Sequence, residues 1–229
     1  MSVPGVEKKQ KKKILESRIL STRLLHRGIQ NAPKKPGLFI GASAVGYYGA
    51  VTGEHIFAET DPPGYDFLAG TTVAWEDATE TIARQGIRTV ILRLGVVFSS
   101  RGGALQKMIQ PVRWGLGAPL GHGRQIVPWI AVEDVAGIIR FFMEQEGLSG
   151  VFNAAAPQAL TNREVMKQLA AHLGKPFFLP PVPAFLLRLI FGEMASILLQ
   201  GSAISPDKLM QSGYRFRFSS LEKWLSEEL

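Results

Sequence analysis

The stretch LFIGASAVGYYG, residues 38–49, decides the fold. It opens with an apolar run without alternation, which is typical of a strand buried on both faces of a parallel sheet, and leads into a turn of small residues. Apolar and small side chains at helical spacing over residues 67–84 predict a helix, with Asp66 as its N-cap and Gly86 beyond its end. A second buried strand is predicted over residues 89–97. Strand, helix and strand in this order form a βαβ unit, so the predicted fold class is α/β with a parallel sheet.

The rest of the chain continues the alternation. We predict further helices at about 10–30, 104–113 and 133–145, further strands at 126–132 and 150–154, and a helix that runs from the capping box Thr161–Glu164 to about residue 172. Beyond residue 174 a Pro-rich linker precedes predicted helices at 185–199 and after Ser205-Pro206, an alternating strand at 214–218 and a terminal helix. The chain therefore divides into a sheet domain, 1–174, and a small α-rich cap, 175–229.

Composition excludes several classes of protein. The chain has 229 residues, of which 46% are hydrophobic and 20% charged, as expected of a globular domain. Cysteine is absent, which excludes disulfides, thiolate metal sites and a thiol nucleophile. Clusters of His, Asp and Glu at metal-ligand spacing are also lacking, and we predict no metal.

The net charge of +7 belongs to one segment. Residues 1–35 hold ten of the 26 basic residues and two of the 19 acidic ones, so the remainder of the chain is close to neutral. A charged block of this kind favours a solvated helix face over a nucleic-acid site. The most apolar run, 185–199, is short for a membrane span and contains Arg188 and Glu193. We expect a cytoplasmic protein with neither a nucleic-acid nor a membrane partner, and its oligomeric state stays open.

Two short glycine-containing motifs bear on the chemistry. The dinucleotide fingerprint G-x-G-x-x-G does not occur, and the glycines of residues 117–123 lie before a predicted strand instead of linking a strand to a helix. A serine hydrolase is suggested by GASAVG, residues 41–46, but this motif misses the nucleophile elbow by one residue. None of the four histidines stands out as its base.

Taken as an ordered set, the motifs resemble one known family. They are FIGASAVGYYG (39–49), DFLAGTTVAWEDA (66–78), VILRLGVVFSSRGGALQKM (90–108), GHGRQIVPWIAVEDVAG (121–137) and GVFNAAAP (150–157). The set resembles the atypical extended short-chain dehydrogenases/reductases of the NAD(P)-dependent epimerase/dehydratase, or sugar-nucleotide epimerase-like, branch. Residues 191–218 are similar to the C-terminal domain of unknown function that marks this branch. The resemblance implies a partial Rossmann-like domain over 1–174, without the Gly-rich N-terminal βαβ unit, and the C-terminal domain over 175–229.

The resemblance also implies catalytic residues. Ser43 matches the family serine, which hydrogen-bonds a substrate carbonyl or hydroxyl. The family's Tyr-x-x-x-Lys pair falls on Leu68 and Thr72, neither of which ionises. Tyr47 is the candidate that replaces the missing tyrosine, with its neighbour Tyr48 as the alternative.

Binding residues follow from the same resemblance. The cofactor would be NAD or NADP, with NADPH favoured, and its expected contacts are Gly41, Ala42, Gly95, Val96 and Val97. The expected substrate contacts are Arg93, Gln125 and Trp129. A structural ion pair for Arg93 and core packing for Trp129 are the alternatives.

The function that the resemblance implies is that of an NAD(P)-dependent epimerase or oxidoreductase acting on a small, sugar-nucleotide-like substrate. The missing fingerprint and the missing tyrosine–lysine pair imply impaired activity. The alternative is a non-catalytic ligand-binding or scaffold protein built on the same fold.

Overall fold

The computed structural model describes the backbone of residues 4–229, together with the side chains of residues 11–229 apart from those at 191, 193 and 194. The strands are β1 (Leu38–Ala44), β2 (Ile56–Phe57), β3 (Arg88–Leu94), β4 (Val96–Ser99), β5 (Gly102–Gly103), β6 (Ile126–Val127), β7 (Trp129–Ala131), β8 (Gly150–Ala154), β9 (Leu160–Thr161) and β10 (Ala203–Ile204). The helices are α1 (Pro4–Gln30), α2 (Phe67–Ala83), α3 (Ala104–Arg113), α4 (Val132–Glu144), α5 (Asn162–His172), α6 (Ala184–Phe191), α7 (Ser196–Leu199), α8 (Asp207–Gln211) and α9 (Leu221–Glu228). Two 3-10 turns lie at Val45–Tyr48 and Gly192–Ala195.

The central sheet is parallel, as predicted. Its order is β1-β3-β8, and α2 connects its first two strands and packs against both of them. Asp66 caps α2 by accepting a hydrogen bond from the Ala69 amide at 2.9 Å, and the capping box of Thr161 and Glu164 opens α5. The two caps confirm the predicted starts of α2 and α5. The strand pairing confirms the predicted Rossmann-like α/β architecture.

Two of the predicted strands are each divided into two shorter strands, which pair with different neighbours. The predicted strand at 89–97 breaks at Gly95, where a Cβ atom would collide with the Pro128 carbonyl oxygen. Beyond Gly95 the chain leaves the central sheet and forms a second one, of order β5-β4-β7. The predicted strand at 126–132 breaks at Pro128 in the same way, because β6 pairs with β9 whereas β7 pairs with β4.

Three other predictions need correction. The helix α1 begins at Pro4 and not near residue 10. The predicted helix at 185–199 is interrupted by a 3-10 turn at Gly192, which has a φ of 58°. Residues 214–218 form no strand, because the amides of Arg217 and Phe218 donate to the Asp134 carboxylate instead of to a neighbouring strand.

The C-terminal segment shares a core with the sheet domain. Phe218 and Trp224 are fully buried in the same apolar cluster as Phe98 and Trp129. The strand β10 also pairs with β2, in the segment between β1 and α2. The division at residue 174 stays a prediction, and the packing shows that apolar contacts cross it.

Within residues 4–229, no helix has both the length and the apolar character needed to cross a bilayer.

Candidate active site

One polar residue from each central strand forms a row across the sheet. Ser43 on β1 is in register with Arg93 on β3, and Arg93 is in register with Asn153 on β8. The three side chains are 2%, 3% and 0% exposed. Parallel sheets bind ligands at the carboxyl ends of their strands, and the row lies one residue before these ends.

Glu76 of α2 ties the first two members of the row together. Its two carboxylate oxygens accept hydrogen bonds from Nε and Nη2 of Arg93, both at 2.9 Å, which is the bidentate geometry that arginine favours. The Ser43 hydroxyl donates to Oε1 of Glu76 at 2.5 Å. A buried guanidinium requires a partner of this kind, so the ion pair expected as the alternative role of Arg93 is present.

Two adjacent tyrosines in the 3-10 turn after β1 meet the same arginine in different ways. The Tyr48 hydroxyl accepts a hydrogen bond from Nη1 of Arg93 at 2.9 Å and donates to Oδ1 of Asn153 at 2.7 Å. The Tyr47 ring instead lies over the guanidinium, with 3.3 Å between Cζ of Arg93 and the ring centroid. Among the residues that the structure describes, none forms a hydrogen bond with the Tyr47 hydroxyl. We call Ser43, Tyr47, Tyr48, Glu76, Arg93 and Asn153 the Arg93 cluster.

Burial determines the protonation states at the centre of this cluster. It raises the pKa of Tyr48 from 10.0 to about 12, against the opposing effect of the Arg93 charge and hydrogen bond. Burial alone would lower the pKa of Arg93, but the hydrogen bonds and charge of Glu76, together with Tyr48, leave it raised. Near neutral pH Tyr48 is therefore a neutral phenol and Arg93 a cation.

Asn153 and Glu59 are two polar residues of this region that the sequence did not indicate. The side-chain Nδ2 of Asn153 donates to the Ser205 carbonyl at 3.2 Å, and the backbone N–H of Asn153 donates to Oε1 of Glu59 at 2.7 Å. The available signal was a polar residue inside the otherwise apolar strand GVFNA, residues 150–154. Glu59 lies in an irregular segment, where sequence carries no comparable signal.

The three expected substrate contacts do not come together. Arg93 is engaged within its cluster, and the Trp129 ring is fully buried, stacks on Phe98 at 5.8 Å and donates from Nε1 to the Gln158 carbonyl. Gln125 is 2% exposed, and its Nε2 donates to the carbonyls of Leu120 and Leu198. Its Oε1 has no hydrogen-bond partner among the described residues.

The expected cofactor contacts have structural roles of their own. A Cβ on Gly41 would lie 2.8 Å from Cγ2 of Thr79, so this glycine allows α2 to approach β1 closely. Ala42, which points away from that helix, is exposed. The Gly95 and Val96 amides donate to the carbonyls of Ala154 and Pro128 and are therefore not available as donors to a ligand. Val97 is half-buried in β4.

Two cavities are lined by described residues outside the Arg93 cluster. The larger, about 640 Å³, is lined by Thr52, the turn at 121–122 and residues of α6 and α7. The smaller, about 280 Å³, is lined by Ala50, Leu68 and other residues at the start of α2 and on α7. Gly46, which precedes Tyr47, approaches the smaller cavity, since a Cβ on it would lie 3.6 Å from Cβ of Leu68. Leu68 occupies the position where the family resemblance places its tyrosine.

Two family models match most of the chain. The model of the NAD dependent epimerase/dehydratase family matches residues 2–155, and a domain of unknown function (DUF1731) matches residues 182–228. The chain belongs to the NAD dependent epimerase/dehydratase family. The resemblance drawn from the ordered motifs is therefore confirmed.

Relatives in this family extend over nearly all of the chain. The mouse epimerase family protein SDR39U1 is 37% identical over 220 residues, which are 94% of this chain and 73% of that protein. The Bacillus subtilis epimerase family protein YfhF is 40% identical over 219 residues, which are 96% of this chain and 72% of that protein.

Solved structures of the epimerase family show the same fold. The human epimerase family protein SDR39U1 (isoform 2), crystallised with NADPH, is 33% identical to this chain and superposes with a TM-score of 0.87, covering 96% of this chain and 74% of that one. A nucleoside-diphosphate sugar epimerase from Corynebacterium glutamicum is 29% identical with a TM-score of 0.78, covering 96% of this chain and 43% of that one.

Proposed function

We propose that this protein is an NADP(H)-dependent oxidoreductase or epimerase that acts on a small, sugar-nucleotide-like substrate, with Ser43 and Tyr47 as its catalytic residues. The observation that supports the proposal is the Arg93 cluster, in which the Tyr47 ring lies over the guanidinium near the carboxyl ends of the strands and the Tyr47 hydroxyl has no hydrogen bond to a described residue. The human relative solved with NADPH supports the choice of cofactor.

Residues of β1 and β4 are the proposed contacts of the nicotinamide end of such a cofactor. Ala42 is a small, exposed residue of β1, on the face of the sheet opposite to the Ser43 side chain. Val96 and Val97 offer half-buried apolar side chains. The described residues contain no glycine-rich strand–turn–helix of the kind that holds a diphosphate.

The proposed chemistry is a carbonyl–alcohol interconversion. When bound, the nicotinamide cofactor supplies the hydride that reduces a carbonyl carbon of the substrate. The Tyr47 hydroxyl gives its proton to the carbonyl oxygen, so that an alcohol forms, and takes it back in the reverse direction. Because Ser43 donates its own proton to Glu76, its oxygen can only accept a hydrogen bond from the substrate, which favours a substrate hydroxyl over a carbonyl.

The test is a titration of the chain with NADPH followed by turnover measurements. We expect saturable NADPH binding by calorimetry and NADPH oxidation with carbonyl probes such as phenanthrenequinone. Tyr47→Phe should lower kcat by about a hundredfold or more, the range of general acid catalysis, without loss of NADPH binding. Tyr65→Phe is the matched control, since Tyr65 is fully exposed and should leave turnover unchanged.

Failure of NADPH to bind would contradict the proposal and favour the non-catalytic scaffold. Saturable binding with turnover that survives Tyr47→Phe would instead refute Tyr47 as the proton donor.

A further inference from the structure

Arg93 makes more contacts within the cluster than a simple ion pair needs. Its guanidinium donates two hydrogen bonds to Glu76 and one to the Tyr48 hydroxyl, and its face lies against the Tyr47 ring. The guanidinium also donates to the Glu59 carbonyl at 3.4 Å, so four of its five N–H groups already have acceptors in the protein. A substrate-binding role therefore does not fit its surroundings.

We propose that Arg93 is a positioning residue, which holds the Tyr47 ring in place and supplies the positive charge beside it. In this role it replaces, from strand β3, the lysine that the family resemblance places at Thr72 of α2. The inference rests on the proposed function, in which Tyr47 is the residue that exchanges a proton.

The geometry supports both halves of this role. A planar guanidinium against an aromatic face is an attractive arrangement, and the two hydrogen bonds that the guanidinium donates to Glu76 prevent it from rotating away. Cζ of the guanidinium lies 3.3 Å from the ring centroid, so the positive charge stands directly against the Tyr47 ring. A lysine at this position would keep the positive charge, but it has neither a flat face to lie against the Tyr47 ring nor a pair of parallel N–H donors for the Glu76 carboxylate.

Arg93 also distinguishes the two tyrosines. It fixes the Tyr48 hydroxyl between itself and Asn153, where burial raises the pKa to about 12 and keeps the proton in place. It contacts Tyr47 only through the ring, and the Tyr47 hydroxyl has no hydrogen bond to a described residue. One arginine thus immobilises one phenol and leaves the other available for proton exchange.

The test compares Arg93→Lys with Arg88→Lys by activity and by fluorine NMR. Arg88 lies on the same strand and donates to the carbonyls of Phe142, Gln145 and Leu148. Arg88→Lys therefore measures the effect of losing guanidinium hydrogen bonds on β3 at a position outside the Arg93 cluster. The protein has four tyrosines, so labelling with 3-fluorotyrosine gives four resonances, and Tyr47→Phe identifies the one that belongs to Tyr47.

We expect Arg93→Lys to move the Tyr47 resonance and to lower kcat with phenanthrenequinone by about tenfold or more at an unchanged KM for NADPH, while Arg88→Lys changes neither. If Arg93→Lys does not fold, the double variant Glu76→Met/Arg93→Met removes both charges together and should show the same two effects. A folded variant whose Tyr47 resonance and kcat match the wild type overturns the inference. If the wild-type protein reduces no carbonyl, the proposed function fails and the Tyr47 resonance alone decides whether Arg93 positions that ring.

Discussion

At the scale of single residues, the site depends on which groups keep their protons. Arg93 and Glu76 form a buried ion pair, with 2.9 Å between Nη2 and Oε2. Tyr48 matters for the pH dependence of the site, because its ionisation would place a phenolate beside the buried row. Its folded pKa of about 12 lies above the ordinary 10.0, so the folded protein holds this proton more tightly than the unfolded chain does.

We expect Tyr48 to make the protein sensitive to alkali. The stabilisation from its raised pKa is fully present below pH 10 and is lost as the pH rises toward 12. From linkage, the difference in unfolding free energy between wild type and Tyr48→Phe should shrink by about 1 kcal/mol between pH ~8 and pH ~11. Urea unfolding across this range measures it. Tyr65→Phe serves as the exposed control, and parallel profiles for wild type and Tyr48→Phe would refute the effect.

At the scale of elements, the start of α2 is what aligns the cluster. The helix carries Glu76, and its N-cap Asp66 makes two hydrogen bonds, from the Ala69 amide at 2.9 Å and from the Ala50 amide at 2.6 Å. The second bond ties the loop that follows the tyrosine turn to the helix. Asp66 therefore links the segment that carries Tyr47 to the helix that carries Glu76.

Asp66→Ala is expected to lower the unfolding free energy by about 1–2 kcal/mol, because an N-cap is lost together with the tie to Ala50. Asp66→Asn should cost less, since its carbonyl oxygen can still cap α2 although it can no longer serve both amides. Urea denaturation of the two variants, with Thr161→Ala at the α5 cap as a remote comparison, measures the difference. Equal losses for Asp66→Ala and Asp66→Asn would show that the second bond, and not the cap, carries the stability.

At the scale of the whole molecule, the C-terminal segment is part of the main core. Trp224 of α9 is fully buried against Phe98 and donates from Nε1 to Glu133 at 2.9 Å. The buried Asp134 carboxylate accepts hydrogen bonds from the Tyr214 hydroxyl at 2.9 Å and from two amides that follow it. These polar and apolar contacts join residues on the two sides of the predicted boundary at 174.

We therefore expect the protein to unfold in one cooperative step. Far-UV circular dichroism and tryptophan fluorescence should give coincident urea transitions. Trp224→Ala should lower the stability of that single transition by about 3–5 kcal/mol, the usual cost of deleting a buried aromatic ring. Trp114→Ala is the matched control, because the Trp114 side chain is 78% exposed. Two separated transitions would show instead that the segment 175–229 folds as its own unit.

Local signals were strong enough to predict most elements. The apolar runs at 38–40 and 150–154, the Asp66 cap and the capping box at Thr161 depend on neighbours within a few residues, so sequence alone could find them. The strand predicted at 214–218 was wrong because Asp134, about eighty residues away, takes the amides that a strand would have paired. The break at Gly95 likewise depends on the distant carbonyl of Pro128.

The sequence by itself determined the parallel α/β class, the family and the candidate residues Ser43 and Tyr47, because these depend on ordered motifs and short-range periodicity. Only the tertiary structure decided how Arg93 is used. Register across three strands, and not spacing along the chain, brings Ser43, Arg93 and Asn153 into one row. In that buried row a guanidinium must satisfy its charge and all its donors at once, and this requirement draws Glu76 and both tyrosines around it.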